Sequence, residues 1–412
     1  MPCKRFSIAS ASSISISIAL LVTLSTFVAS PARAQTFTVL HNFPSMTGDG
    51  RQPYGSLVFD PKGNIYGTTY SGGTADSSNY GTVYALSPKG GEALLHSFFF
   101  SNAGLDGENP AAGLLRDASG NLYGTTLFAG TNNYGTVFKI DSAGTETILH
   151  DFTGGGIDGA YPGFGNLIMD SAGSLYGTTE EGGSSGNGTV YKIDSTGVET
   201  VLYSFTGEND GQFPYGSLVM DSAGNLYGTT LNGGNSRTCS SCGIVFKLTP
   251  PTSSGPWQET VLHNFAGGTG ATADGQHPYA GLVLSSTGHL YGTTRDGGSA
   301  GCGTVFEMGT TGREKVLYSF AGGISDGCTP VSVLLANAGN LYGTTVNDGA
   351  FAGGIIFELS ETGAETILHS FNPSTDGSGS VAGLVRGPKG ALYGTTSGGG
   401  VNNFGTVFEL IP

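Results

Sequence analysis

The chain has 412 residues, 72 of them glycine, and a formal charge of −15. So much glycine, against a usual share of about 7 %, excludes a mainly helical protein, because each interior glycine costs a helix roughly 1 kcal/mol relative to alanine. Sixteen lysines and arginines against 31 acids exclude nucleic acid and anionic lipid as partners, since both need clustered cations.

Residues 1–34 read as a secretory leader. Lys4 and Arg5 open it, an apolar stretch richest from Ile16 to Val28 follows, and Ala32-Arg33-Ala34 fits a small-x-small cleavage site. The stretch is too short and serine-rich to span a membrane, and no cysteine follows the cleavage site to carry a lipid. The leader holds three of the sixteen basic residues, so the mature chain has 13 against 31 acids and a formal charge of −18. The chain stops at Pro412 inside its repeat pattern, without an appended sorting tail or anchor.

From residue 35 onward one tetrapeptide dominates. Tyr-Gly-Thr-Thr begins at Tyr66, Tyr123, Tyr176, Tyr227, Tyr291, Tyr342 and Tyr393, at intervals of 57, 53, 51, 64, 51 and 51 residues. A period of that length marks a propeller or a solenoid. The unit around Tyr123 contains four short β-rich runs bounded by Gly, Asp, Asn or Pro, and so predicts four strands. Four-stranded sheets repeated radially are propeller blades. The first run, Phe37 to Phe43, has the fourth-strand pattern with no third strand before it. The last, Gly405 to Leu410, has the third-strand pattern with no fourth after it. The surplus strand completes the deficient blade and covers its open edge. The expected fold is all-β: a single seven-bladed β-propeller over 35–412. The glycines of Gly63-Asn64, Gly120-Asn121, Gly224-Asn225 and Gly339-Asn340 suit tight turns. The glycine of the tetrapeptide marks a close backbone approach or a bulge.

These residues resemble a known family. Asp221–Thr230, followed by Asn232-Gly-Gly, and the runs Cys242–Pro250, Glu259–Phe265 and Asp274–Val283 are similar to the tandem Gloeobacter–Verrucomicrobia (GloVer) repeat of exported bacterial proteins. The resemblance covers essentially the whole mature chain. It implies a secreted or surface repeat protein without established chemistry, and this chain lacks the C-terminal anchor of some members. WD40 and kelch repeats fit worse, for Trp257 is the only tryptophan.

Residues that recur seven times behave as scaffold. Each repeat has an Asp-Gly pair, at Asp49, Asp106, Asp158, Asp210, Asp274, Asp326 and Asp376. An Asx-turn explains it better than a calcium ring, since calcium needs six to eight converging oxygens. His41, His96, His150, His263 and His369 share one fourth-strand position with Tyr203 and Tyr318, an exchange expected of packing plus one hydrogen bond. His277 and His289 lie outside that register, away from any nucleophile. No metal and no cofactor is expected.

Four cysteines follow the leader, and export permits disulfides. Cys302 and Cys328 fall in loops of one face and are the first choice for a bond, leaving Cys239 and Cys242 as a local loop. Zinc at Cys239-Ser-Ser-Cys242 would need a second ligand pair. A Cys242–Cys302 bond would have to span neighbouring sheets about 10 Å apart.

The positions after each tetrapeptide vary most: Tyr70-Ser71, Leu127-Phe128, Glu180-Glu181, Leu231-Asn232, Arg295-Asp296, Val346-Asn347 and Ser397-Gly398. Variable loops on a rigid frame are where specificity sits. The candidate ligand-binding residues are Tyr70, Phe128, Glu180, Glu181, Asn232, Arg295, Asp296 and Asn347. The expected role is a non-catalytic, monomeric binding scaffold for an extracellular polysaccharide or protein. An extracellular lyase or hydrolase led by Glu180, Glu181, Arg295 and Asp296 is the alternative, and a purely structural surface protein a third.

Overall fold

The structure, a computed structural model, describes residues 35–412 except 45–47, 75–79, 100–105, 237, 271–272, 332–334, 338 and 388–389. The leader lies outside the described residues. Residues 35–412 form one unit, and no helix among those described is long and apolar enough to cross a membrane.

Seven antiparallel four-stranded sheets stand in a ring as the blades of a β-propeller. Blade 2 is typical: Leu115–Arg116, Leu122–Thr126, Thr136–Ile140 and Glu146–Asp151, paired in that order from the channel outward. The inner strand is only two residues long. The two middle strands are sandwiched between neighbouring blades and are buried on both faces, whereas Glu146–Asp151 is half exposed. Blade 7 closes with a strand from the other end of the chain. Thr36–Asn42 pairs with Thr406–Ile411, Phe37 opposite Leu410 and Asn42 opposite Thr406. The surplus and the deficit read in the sequence therefore meet.

Each residue of the tetrapeptide has its own task. The hydroxyls of Tyr66, Tyr123, Tyr176 and Tyr227 donate to Asp60, Asp117, Asp170 and Asp221 in the turn before the strand, at 2.9–3.3 Å. In the last three blades the tyrosine donates instead to Glu307, Glu358 or Glu409 on the third strand. The glycine answers a close approach, not a bulge: a Cβ on Gly124 would lie 2.5 Å from the Phe138 ring. The bulge lies one strand further out, between Val137 and Phe138 against the fourth strand. The first threonine reaches the next blade, as in Thr68 Oγ1 to Ala112 O at 2.8 Å and Thr229 Oγ1 to Ala280 O at 3.0 Å. The second bonds within the blade, Thr126 to Thr136 at 2.8 Å.

The core lies in the seams between blades. Val137 and Phe152 of blade 2 pack with Leu167, Leu175, Tyr191 and Ile193 of blade 3. The closing seam joins Phe43, Tyr393 and Val407 to Leu57, Ile65 and Tyr84. Every seam has one aromatic pair. The phenylalanine after each fourth strand meets the third-strand ring of the next blade at 5.1–5.3 Å, from Phe43–Tyr84 and Phe98–Phe138 round to Phe371–Phe408. Such pairs add about 0.5–1.5 kcal/mol each beyond the area they bury.

Candidate functional site

The Asp-Gly loops and the variable residues share one face of the ring. In blade 2 Gly107–Glu108 pairs with Phe128–Ala129, in blade 3 Gly159–Ala160 pairs with Glu181–Gly182, and in blade 5 Gly275–Gln276 pairs with Asp296–Gly297. Single bridges do the same at Gln212–Asn232 and Ser378–Gly398. Each aspartate is tied to its own turn. Asp106 accepts from the Gly107 amide at 2.9 Å and from the Phe99 amide at 3.0 Å, so the carboxylate binds the next residue and crosses the loop, whereas the Asx-turn expected from the sequence bonds the residue two on.

Between each Asp-Gly pair and the channel sits a residue with φ near 60°: Gln52, Asn109, Tyr161, Phe213, His277 and Thr329, with Gly379 as the seventh. Bulky residues rarely adopt this conformation, which costs about 1–3 kcal/mol each. Backbone bonds impose it. The amide of Tyr161 donates to Tyr134 O in the preceding blade at 2.8 Å, and its carbonyl accepts from the Glu180 amide at 3.1 Å. His277 is held in the same way by Cys242 O and the Arg295 amide. The same pair of backbone bonds holds tyrosine and histidine alike, and at some repeats side chains add bonds of their own, as Asn109 Nδ2 does to Tyr70 O at 2.8 Å.

The candidate residues fall at two radii. Tyr70, Glu180 and Arg295 lie beside the channel. Tyr70 meets Tyr54 edge-on at 5.3 Å, Glu180 accepts from the Tyr215 hydroxyl, and the charge of Arg295 acts on Tyr279. Phe128, Glu181, Asn232, Asp296 and Asn347 sit on the ribbons. There Phe128 meets Tyr161 at 5.6 Å, Asp296 lies 3.0 Å from His277 Nδ1 and 3.9 Å from Arg295, and Asn347 donates to Thr329 at 3.3 Å. The eight do not form one cluster; they are spread round the mouth.

The channel itself holds the residues that the sequence reading missed. A recess of about 80 Å³ is lined by all seven repeats. At the position three residues before the Leu of each inner segment stand Tyr54, Ala111, Phe164, Tyr215, Tyr279, Val331 and Val381. Rings from three successive blades converge: Tyr215 lies 5.1 Å from both Phe164 and Tyr279, and Phe164 lies 6.0 Å from Tyr279. The opposite wall carries Tyr54 flanked by the small side chains of Ala111, Val331 and Val381. Burial and then the neighbouring Glu180 push Tyr279 up to about 12. Burial raises Glu180 above the carboxylate range, opposed by the Tyr215 hydrogen bond. Exchange of Tyr or Phe for Ala or Val at one register position was the legible signal.

His, Asp and Glu also meet in a repeated cluster at the seams, as in His96, Asp106 and Glu146 or His150, Asp158 and Glu199, with one ligand-type atom from each within 4.8 Å of the others. The histidine touches the aspartate at 2.6–3.4 Å in four repeats. Tyr203 and Tyr318 replace it with their own bonds to Asp210 and Asp326 at 2.9 and 3.1 Å. A phenol in the same geometry is not a divalent-cation ligand of this kind, so the repeated contact is a hydrogen-bonded link. The glutamate comes from the start of the next blade's fourth strand. Burial, then the charge of the aspartate, raises Glu146, Glu199, Glu259, Glu314 and Glu365 to about 7; Glu92 is raised to about 8. Each keeps one inaccessible oxygen without a hydrogen-bond partner.

Cys302 bonds Cys328, and Cys239 bonds Cys242, both on the ribbon face. His289 lies 2.6 Å from Glu307, across the two middle strands of blade 5. Trp257 packs on the core seam between blades 3 and 4, which gives it a structural task.

Comparison with known proteins places the ring among relatives. No curated protein matches the chain. The extracellular domain of a hybrid two-component system from B. thetaiotaomicron matches with a TM-score of 0.57 at 14 % identity, over 92 % of this chain and 41 % of that one. A second such domain from that organism gives 0.56 at 15 %, over 92 % and 42 %. The chain thus spans about two fifths of the length of these structures, and the likeness is one of fold. In sequence, residues 75–274 and 239–412 match the Gloeobacter/Verrucomicrobia repeat, most of the ring is therefore built of that unit, and the chain belongs to that family.

Proposed function

We propose that the protein is an exported, monomeric binding scaffold of the cell surface or the space outside it, taking an extracellular polysaccharide or protein on its ribbon face. The observation that carries this reading is the division of labour on that face. Backbone hydrogen bonds hold the positions, while the side chains at Tyr70, Phe128, Glu180, Glu181, Asn232, Arg295, Asp296 and Asn347 differ from blade to blade. Two disulfides suit an oxidising compartment, the leader expected over 1–34 supplies the route, and the fold is one that extracellular sensor domains also use. Flat rings suit apolar faces of a ligand, and carboxylates and a guanidinium suit its polar groups.

The test is a melting-temperature screen of the purified protein against polysaccharides and secreted proteins, since a ligand that binds only the folded state raises the transition. Joint replacement of Glu180, Glu181, Arg295 and Asp296 by Ala then abolishes the shift. A ligand indifferent to those four changes but lost on Trp257→Ala would place the site on the other face.

A second reading, a lyase or hydrolase, has one observation in its favour: Glu180 is a carboxyl raised by burial and hydrogen-bonded to a tyrosine inside a recess. Turnover of a bound substrate, lost on Glu180→Gln with binding kept, would establish it over the scaffold.

A further inference from the structure

We infer that the channel recess receives the end of a neutral oligosaccharide chain, against a wall made by Phe164, Tyr215 and Tyr279. The inference rests on the reading that the ribbon face is the binding face, and it names the ligand class and the subsite.

The asymmetry of the channel is the starting point. A channel built by seven equivalent segments would be filled or open evenly. Here rings from blades 3, 4 and 5 touch one another across no more than 6.0 Å, Tyr54 of blade 1 stands across from them, and the remaining blades offer only Ala111, Val331 and Val381. The space they leave is about 80 Å³, room for a chain end and not for a whole oligosaccharide, since ordinary small-ligand sites have roughly 300 Å³ or more. Aromatic rings thus line the space on two sides, with small side chains between them. A sugar ring has a face of C–H groups carrying slight positive charge, which suits the negative face of an aromatic ring.

The polar groups fit hydroxyls. Tyr215 donates to one oxygen of Glu180 and so orients the carboxylate, leaving its other oxygen to accept from a ligand hydroxyl. The hydroxyls of Tyr54 and Tyr279 have no hydrogen-bond partner among the described residues, and burial keeps both protonated at neutral pH. They are donors and acceptors at once, as sugar hydroxyls require. The Glu180 carboxylate stands against Tyr215 and acts on Tyr279, and the mature chain is strongly acidic. Uronate or sulfated chains would be repelled, which leaves a neutral one.

Two features select a chain end and disfavour a peptide. The recess is walled by every blade, so a polymer enters only along the axis, end first. The backbone lining is already engaged: Ala112 O, Ala280 O and Gly55 O accept from the threonines of the preceding blades, and the Gly113 amide donates to Asn166. These carbonyls and this amide are thereby withdrawn from pairing with an extended peptide.

Calorimetric titration of the exported protein with cellohexaose, laminarihexaose, mannohexaose and xylohexaose, each up to 10 mM, tests this, with hexagalacturonate as the acidic control. At least one neutral hexasaccharide binds and hexagalacturonate does not. Tyr215→Ala and Tyr279→Val each weaken that binding at least tenfold with an unchanged melting temperature, because blades 2 and 7 already fold with Ala111 and Val381 at this position. Binding by none of the four neutral probes, or by hexagalacturonate alone, overturns the inference. Neutral binding that survives both tyrosine changes but is lost on Glu181→Ala and Asp296→Ala overturns the recess and leaves the ribbon face standing. Binding lost only on Trp257→Ala overturns both.

Discussion

At the seams between blades, the side chains of one repeat have counterparts in nearly all the others; at the channel mouth they have almost none. Phe43, Phe98, Phe152, Phe205, Phe265, Phe320 and Phe371 make the same edge contact in turn, whereas Tyr70, Glu180 and Arg295 stand at one register position with three unlike chemistries. The two regions are a few residues apart in each repeat. They differ in what holds the chain. At the seams side chains fill space, and close packing punishes any change of volume. At the mouth the backbone is held by its own amides and carbonyls, so the side chain is free to serve something outside the fold.

The sharpest way to break this contrast is to open the ring. Removing Thr36–Asn42 takes the fourth strand from blade 7 and exposes the edge of Thr406–Ile411. The expected result is aggregation and a large fall in melting temperature, measured by size-exclusion chromatography and thermal melting. A monomer with unchanged melting would show that closure adds nothing. Next in size, Phe152→Ala empties a fully buried place in one seam and costs about 3–5 kcal/mol, read from denaturant unfolding. A cost under about 1 kcal/mol would mean that the seams are not where stability lies.

The seams also predict a dependence on pH. Glu146, Glu199, Glu259, Glu314 and Glu365 hold their protons to about 7 in the folded ring, and Glu92 to about 8, against an ordinary value near 4.5. Their contribution is fully present below pH 4.5 and is lost as pH rises through 7 and 8. His96, raised by Asp106 and Glu146 against the pull of burial, acts in the same direction, while burial lowers His41 and His369, which act oppositely. Asp158, held low by His150 and Thr153 against burial, loses its share only in acid. Unfolding free energy measured from pH 5 to pH 8.5 should therefore fall from pH 5 to about 7 and level off by about pH 8. Glu146→Gln, which cannot ionise, should flatten the fall; a steeper one would contradict the link.

The mouth gives the smallest effect on the fold. Replacing Glu180, Glu181, Arg295 and Asp296 by Ala should change stability by less than about 0.5 kcal/mol per site, while removing ligand binding. A loss of several kcal/mol at these sites would erase the distinction between seam and mouth.

Much of the seam was legible in the chain. The Asp-Gly turns, the His and Tyr exchange and the glycine of the tetrapeptide were each read from recurrence, and the structure supplies the partner atoms. The glutamates at the start of the fourth strands recur just as regularly, yet nothing in their own strand marks them. Glu146 is notable only because blade 2 lies against the loop that holds Asp106, and that neighbour is 40 residues away in sequence.

What the sequence determined by itself was everything with a short range or a repeated one. Strand count, blade number and closure by Phe37–Phe43 all follow from local pattern and from which pieces are missing at each end, whereas the pairing of the four cysteines was settled by the fold. Tertiary structure alone decided the mouth. Phe164, Tyr215 and Tyr279 are 51 and 64 residues apart and share no local motif beyond their place in the repeat. They meet because seven inner segments converge on one axis, and side chains that point inward from neighbouring blades must compete for the same small space. Repetition announces where the chain turns, but it cannot announce which unlike side chains those turns bring face to face.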